Sequence, residues 1–175
     1  NIDEGTLEIV LTSIPACSYC ENPLYNNNAV DWQEKKQLCE LQSTWIINTD
    51  ITENECAEIP GLINNTGGWW YDGHVGGFQF DLLGITIDDA SAPNGFTVSI
   101  SPTTVLMFSV TGATIPPGIG TLLTTVSFTV NDDYAENGLC FGEDTGSSGD
   151  TAISDRNGVY VLVDWGNCIC PDNNP

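Results

Sequence analysis

The chain has 175 residues, enough for one well-buried domain, and 41% of them are hydrophobic, which excludes a disordered chain. It has 24 acidic residues and only three basic ones, which gives a formal net charge of −21. This charge excludes nucleic acids and anionic membranes as partners, because both are themselves negatively charged.

The first predicted element is a half-buried strand at residues 5–13, where apolar and polar side chains alternate. Its inward set is Leu7, Ile9 and Leu11. The chain begins at Asn1, almost directly before this strand, which is typical of a processed, secreted protein. No apolar run is long enough to predict a membrane span.

Residues 14–73 differ in character, because turn residues, four cysteines and aromatic residues replace the alternation. Residues 28–42 are predicted to form a short helix with Lys35 and Lys36 on its polar side. A 60-residue segment of this kind is too small for a large core. We therefore expect a cysteine-rich insertion that disulfides hold together.

A second short helix is predicted in the same insertion. Thr52 and Glu55 have the spacing of a capping box, in which each side chain bonds to the backbone of the other residue. The helix that this box begins carries Cys56.

Strand patterns resume at residues 75–87, but the pair Leu82-Leu83 followed by Gly84 interrupts the alternation. This predicts either a bulge or a strand that crosses between sheets. The later strands are each predicted to direct one alternating set of side chains inward: Phe96, Val98 and Ile100; Leu106, Phe108 and Val110; Leu122, Thr124, Val126, Phe128 and Val130; and Val159, Val161, Val163 and Trp165.

Short strands separated by Gly, Pro and Asp turns predict an all-β, antiparallel, immunoglobulin-like sandwich. We assign residues 1–13 and 74–170 to this sandwich domain, 14–73 to the insertion with its short helices, and 171–175 to a C-terminal tail.

Seven cysteines in a chain of this length predict disulfides and an oxidising compartment, so we expect an extracellular or cell-surface protein. The four in the insertion, which allow three pairings, are Cys17, Cys20, Cys39 and Cys56. The alternative is a zinc site at Cys17 and Cys20, but a second such pair at the usual spacing is missing. Because seven is odd, one thiol is left free or bridges to another chain.

Residues 75–130 carry a recognisable pattern, in which Gly-Gly-Phe-Gln-Phe-Asp-Leu is followed by Gly-Phe-Thr-Val-Ser and by Thr-Val-Leu-Met-Phe-Ser-Val-Thr-Gly. It resembles the cohesin-like β-sandwich modules of secreted microbial and algal proteins, which often occur beside dockerin-type repeats. The resemblance covers residues 5–13 and 75–170, and the 60 residues between them replace the family's short turn.

The resemblance implies an extracellular binding or assembly module and transfers no catalytic residue. Modules of this kind carry one cysteine before a Ser-Asp stretch and another near the last strand. The matching positions are Cys140 and Cys168, and the resemblance therefore implies that they form a disulfide. Cys170 is then the odd cysteine, which either reaches back to the insertion or links subunits.

An enzyme is not predicted. His74 is the only histidine, and no Gly-x-Ser-x-Gly motif accompanies it, so a surface or packing role is expected. With 24 acidic residues, chance pairs of carboxylates are expected and carry no signal for glycoside hydrolysis.

Three further features allow both functional and ordinary interpretations. The cluster Trp69-Trp70-Tyr71 predicts a glycan or subunit contact, and the alternative is the insertion's own small core. The acidic loops at Asp88-Asp89, at Asp132-Asp133 and from Glu143 to Asp155 carry calcium-type ligands, but no metal or other cofactor is predicted, because solvated acidic turns are the ordinary case.

Asn64 begins an Asn-Asn-Thr sequon in a polar, glycine-flanked loop, and it is predicted to be N-glycosylated.

Together these observations predict a non-enzymatic structural module that associates with itself in a surface filament or sheath. The insertion or the N-terminal strand would dock on a neighbouring subunit. The alternative is a carbohydrate-binding or adhesive module that uses Trp69, Trp70 and Tyr71.

Overall fold

The computed structural model describes residues 4–26, 32–61, 67–134, 138–144 and 151–169. They fall into two compact units. The strand-rich unit is built from the chain up to Ser13 and from His74 onward, and the insertion runs from Ile14 to Gly73. Cys170, Asn64 and the tail at 171–175 lie outside the described residues.

The fold is mostly β and the paired strands are antiparallel, which confirms these two parts of the prediction. The helices are α1 (Trp32–Glu40) and α2 (Glu53–Ala57), with a single 3₁₀ turn at Pro23–Tyr25. The strands are β1 (Glu4–Ser13), β2 (Ala16–Cys20), β3 (Trp45–Asn48), β4 (Trp69–Tyr71), β5 (Val75–Leu83), β6 (Ile85–Ala90), β7 (Thr97–Ile100), β8 (Thr104–Phe108), β9 (Gly118–Val130), β10 (Cys140–Phe141), β11 (Ala152–Asp155) and β12 (Tyr160–Val161).

The strand-rich unit contains two sheets. One has the order β1-β9-β6, and the other has the order β12-β11-β5-β8-β7 with β10 paired to β5. Side chains from both sheets meet in a single buried apolar cluster. Five of its residues have no exposed surface: Val75, Phe80, Val105, Met107 and Val126. Complete burial of side chains of this size stabilises the fold by about 1.5–3 kcal/mol each.

The alternation of β1 directs its side chains as predicted. Ile9 is 7% exposed and Leu7 and Leu11 pack against the core cluster, whereas Val10 on the other face is 57% exposed. β1 therefore covers the core with one face.

The interruption at Leu83-Gly84 is a crossing between sheets, since β5 belongs to one sheet and β6 to the other. Gly84 has φ +89°, a conformation that L side chains rarely adopt. A Cβ atom at this position would also collide with the carbonyl oxygen of Gly138. Leu82 and Ile85 on either side are each 1% exposed, so the crossing places both in the core.

The predicted inward set of β8 is wrong. Phe108 is 39% exposed, whereas Val105 and Met107 are fully buried. Both alternating sets of this strand are apolar, so the pattern does not determine which set faces inward. Cross-strand pairing does: Val105 lies opposite Phe80 and Met107 opposite Phe78, and both rings are buried.

The inward set of β9 is partly wrong for a different reason. The register with β1 shifts where Thr124 faces Ile9 and Leu122 faces Val10, so Leu123 is an extra, bulged residue. Beyond the bulge the alternation reverses, which leaves Leu122 48% exposed and buries Leu123 instead.

Ile100 and Val159 are also more exposed than predicted, at 40% and 38%. Ile100 lies opposite the buried Val105, but β7 is an edge strand, so nothing in the sheet covers its far side. Val159 precedes β12 in a turn, where its backbone N–H donates to the carboxylate of Asp155.

In the insertion, β2 is the central strand of a sheet with the order β3-β2-β4. The capping box at Thr52 and Glu55 is present and begins α2, as predicted. The predicted polar position of Lys35 is wrong, because Lys35 is only 3% exposed. It shares a face of α1 with the buried Trp32 and Cys39, three and four residues away.

Adjacent residues of β8 provide a test of the core. We expect Met107→Ala to lower the free energy of unfolding by about 2–5 kcal/mol, because it leaves a cavity at a fully buried site. Leu106→Ala, on the opposite face, should cost about 1 kcal/mol or less. Denaturant unfolding measures both, and equal losses would contradict the assigned register.

Candidate functional site

The aromatic residues of β4 belong to a stack within the insertion. Trp69 and Tyr71 lie on the same face of the strand, and their ring centroids are 6.2 Å apart. The ring of Trp32 in α1 stacks on Trp69 at 4.9 Å. Trp32 is 4% exposed and Tyr71 is 7% exposed. The stack therefore joins α1 to the sheet and forms a small aromatic core.

This geometry bears on the predicted glycan or subunit contact. Trp69 and Tyr71 direct their faces at other rings of the insertion, which favours the interpretation as the insertion's own core. Trp70 points to the other side of β4, is half-buried and lies opposite Cys17 in the register with β2. Contact with a glycan or a second subunit through Trp70 stays a prediction.

The four cysteines of the insertion form two disulfides, Cys17–Cys56 and Cys20–Cys39. Both begin on the central strand β2, and each ends on one of the two helices. All four cysteines are 0–1% exposed. In the chain-entropy model, loops of 39 and 19 residues each contribute about 3–4 kcal/mol. Cys17 and Cys20, the ligands of the zinc alternative, are thus bonded to other cysteines.

A buried asparagine links β2 to the segment that contains Pro60. Asn26 has no exposed surface, and its side chain accepts from the backbone N–H of Cys20 at 2.7 Å and donates to the carbonyl of Pro60 at 3.0 Å. Gly67 passes so close that a Cβ there would collide with the Asn26 side chain. The fold therefore requires glycine at this position.

Lys35 donates from Nζ to the carbonyl oxygen of Gly67 at 3.3 Å. Its burial lowers the pKa of the ammonium group, because the charged form loses hydration. Its placement beside the aromatic stack of α1 gives this lysine a structural role in the insertion.

In the strand-rich unit, Cys140 and Cys168 form the disulfide that the family resemblance implies. Cys168 is exposed and Cys140 is half-buried, unlike the four cysteines of the insertion. This disulfide joins β10 to the segment that follows Trp165.

Asp144 organises the same region. Its carboxylate accepts from the hydroxyl of Tyr160 at 2.9 Å and from the indole N–H of Trp165 at 2.6 Å. Burial raises the pKa of the Tyr160 hydroxyl, and the hydrogen bond and negative charge of Asp144 raise it further. Trp165 packs against Phe141 with ring centroids 5.0 Å apart, so the two hydrogen bonds to Asp144 hold this side of the core in place.

The remaining residues considered for catalysis or metal binding do not form a common site among the described residues. The Nδ1 atom of His74 lies 3.1 Å from the hydroxyl oxygen of Thr114. The Asp155 carboxylate accepts from the backbone N–H groups of Asn157 and Val159 and so holds a turn. Within residues 4–26, 32–61, 67–134, 138–144 and 151–169, no group of three or more His, Cys, Asp or Glu side chains has the arrangement of a metal site.

A groove lies along the outer edge of β1, where no sequence motif marks it. Four consecutive residues, 7–10, line one side, and the other side is formed by residues 139–141, Asn167 and Ile169, with Leu82 below. Consecutive residues of a strand point to opposite faces, so a cavity that touches four in a row lies against the backbone edge. Counted with its open mouth, the groove has a volume of about 550 Å³.

Most residues that line this groove are apolar, and Glu8 is the only charged one among them. Val10 and Ile169 on its rim are 57% and 56% exposed. A surface of this kind, beside an unpaired strand edge, can accept an extended polypeptide segment.

Comparisons with protein-family models, with curated proteins and with solved structures found no match to this chain.

The exposure of the three disulfides predicts the order in which they are reduced. We expect mild reductant under native conditions to open Cys140–Cys168 first, because a thiolate must reach a sulfur atom and Cys168 is exposed. Alkylation followed by peptide mass mapping measures this order, with an unreduced sample as the control for Cys170. Labelling of Cys17 or Cys39 before Cys168 would contradict it.

The Asp144 contacts predict a pH effect. A tyrosine with a raised pKa in the folded state stabilises the fold below its ordinary pKa of about 10, and this contribution is lost as the pH rises further. We expect Asp144→Asn to lower the pKa of Tyr160, though burial keeps it raised, and to reduce the alkaline loss of stability. Phenolate absorbance and thermal unfolding, followed from about pH 9 to the highest pH at which the chain stays folded, measure both effects. Tyr160→Phe shows which part of the phenolate absorbance comes from Tyr160. If Tyr160 titrates at the same pH in Asp144→Asn, Asp144 does not raise its pKa.

Proposed function

We propose that this chain is a non-enzymatic extracellular structural module, a subunit that associates with itself in a surface filament or sheath-like assembly. The observation that carries the proposal is the outer edge of β1 at residues 7–10, which pairs with none of the described strands and lies beside an apolar groove. Strand edges with exposed apolar flanks pair with other chains unless the protein protects them. A structural subunit uses such an edge to bind its neighbour.

The fold that we propose for the strand-rich unit is a cohesin-like or immunoglobulin-like β-sandwich. Three observations support it: two antiparallel sheets, one apolar cluster shared between them, and the crossing at Gly84. The disulfide between Cys140 and Cys168 also agrees with the cysteine positions of the modules that the sequence resembles.

An extracellular location is supported by the three disulfides, because such bonds persist in oxidising compartments. Among the described residues, no helix has the length and apolar content needed to cross a membrane. Glycosylation at Asn64 belongs to the same proposal and rests on the sequon alone.

The proposal predicts reversible self-association. We expect the average mass of the purified chain, measured by light scattering, to rise with protein concentration, and negative-stain images to show linear or sheet-like particles. Added salt should strengthen association, since it screens the repulsion between subunits of charge −21. Cys170→Ser serves as the control for covalent linkage. A chain that remains monomeric at high concentration and high salt would refute the proposal.

A further inference from the structure

The free edges of the two sheets differ in how they are protected. β12 has two residues and β7 has four, whereas β1 has ten. β6 carries Asp88 and Asp89 with a register shift between Ile87 and Asp89, and a bulge with charged residues is a common means of blocking an edge. β1 therefore presents the longest of these edges, and Glu8 is the one charged residue that lines the groove beside it.

The edge of β7 lies on the opposite side of the strand-rich unit. In the sheet β1-β9-β6, β1 and β6 are the two outer strands. The loop that follows β7 is bound to β6, because the N–H of Ile87 donates to the carbonyl of Pro102 at 2.8 Å. β7 is thus on the β6 side, away from the groove beside β1.

The chain has one extended region that carries no charge. Between Asp89 and Asp132 lie 42 consecutive residues, 90–131, without a single Asp, Glu, Lys or Arg. The edge strand β7 lies within this region, and its residue Ile100 is 40% exposed. In a chain of net charge −21, β7 is thus a strand edge whose own residues add no charge repulsion between two copies.

The dimensions of the two edges agree. β7 has four residues, and the groove follows four residues of β1, a length of about 13 Å at the usual rise per residue. Val98 and Ile100 are two residues apart, so both point to the same face of β7. This face packs against the core of its own unit, but Ile100 remains 40% exposed, so its side chain can cover apolar residues of the groove when β7 pairs with β1.

We propose that β7 of a second copy of this chain adds to the free edge of β1 and covers the groove beside it. This inference rests on the proposed function and identifies its contact surface. Because the two surfaces differ and lie on opposite sides of the unit, the contact is head-to-tail and can repeat from one subunit to the next. Each added subunit extends the line by one β1–β7 contact.

Two single variants and their mixture test the proposal. Val10→Asp places a charge on the groove, and Ile100→Asp places one on β7. We expect each variant alone to lose every species above the monomer mass under conditions in which the unmodified chain assembles. In an equimolar mixture, each variant supplies the surface that the other lacks, so a complex of twice the monomer mass should form and grow no further. Sedimentation velocity measures these masses.

Leu41→Asp is the matched control, because it adds the same charge at a residue of the insertion that is 77% exposed. It should assemble like the unmodified chain. Circular dichroism checks the fold of Ile100→Asp, and Ser99→Asp, at an exposed position of β7, replaces it if that variant unfolds.

The outcomes separate the two proposals. If the unmodified chain assembles and Val10→Asp assembles equally well, the β1–β7 contact is wrong while the structural function stands. If both variants are monomeric but their mixture forms no dimer, the β1 and β7 surfaces do not complement each other and the inference is also wrong. If the unmodified chain itself never assembles, both proposals fail.

Discussion

Mutual repulsion among 24 acidic residues, with only three basic residues to oppose it, is the constraint under which this chain folds. Ion pairs such as Lys36–Glu40 can do little against it, because exposed pairs contribute about 0–1 kcal/mol. Apolar burial and covalent links therefore provide the cohesion. In the strand-rich unit the shared apolar cluster does so, and in the insertion the two disulfides on β2 and the aromatic stack on Trp69 take that role.

Much of the fold follows from local patterns in the sequence. The alternation of residues 5–13, the interruption at Gly84 and the capping box at Thr52 each specify structure within a few residues, and the corresponding elements are present. The errors arise where local patterns allow two answers. Both sets of side chains on β8 are apolar, and only pairing with Phe78 and Phe80 selects the buried one. In the same way, no local signal marks Leu123 as a bulge.

The disulfides, the aromatic stack and the groove are harder to predict from the sequence, because they depend on contacts between distant residues. Four cysteines allow three pairings, and choosing among them requires knowing that β2 lies between α1 and α2. The cluster Trp69-Trp70-Tyr71 is visible in the sequence, but its packing partner Trp32 is more than thirty residues away. The groove is harder still, since residues 7–10 meet residues 139–141 and Ile169 only after both sheets have formed.

The uncharged region at 90–131 also has a consequence before folding is complete. The region contains β8 and β9, which are neutral, rich in Val, Thr, Leu and Phe and free of Pro, and such strands can aggregate as cross-β structure when exposed on an unfolded chain. Here it is flanked by Asp88-Asp89 on one side and Asp132-Asp133 on the other, and charged residues beside such segments act as gatekeepers. Repulsion between like-charged chains also opposes the association of unfolded molecules before β8 and β9 have buried their apolar residues.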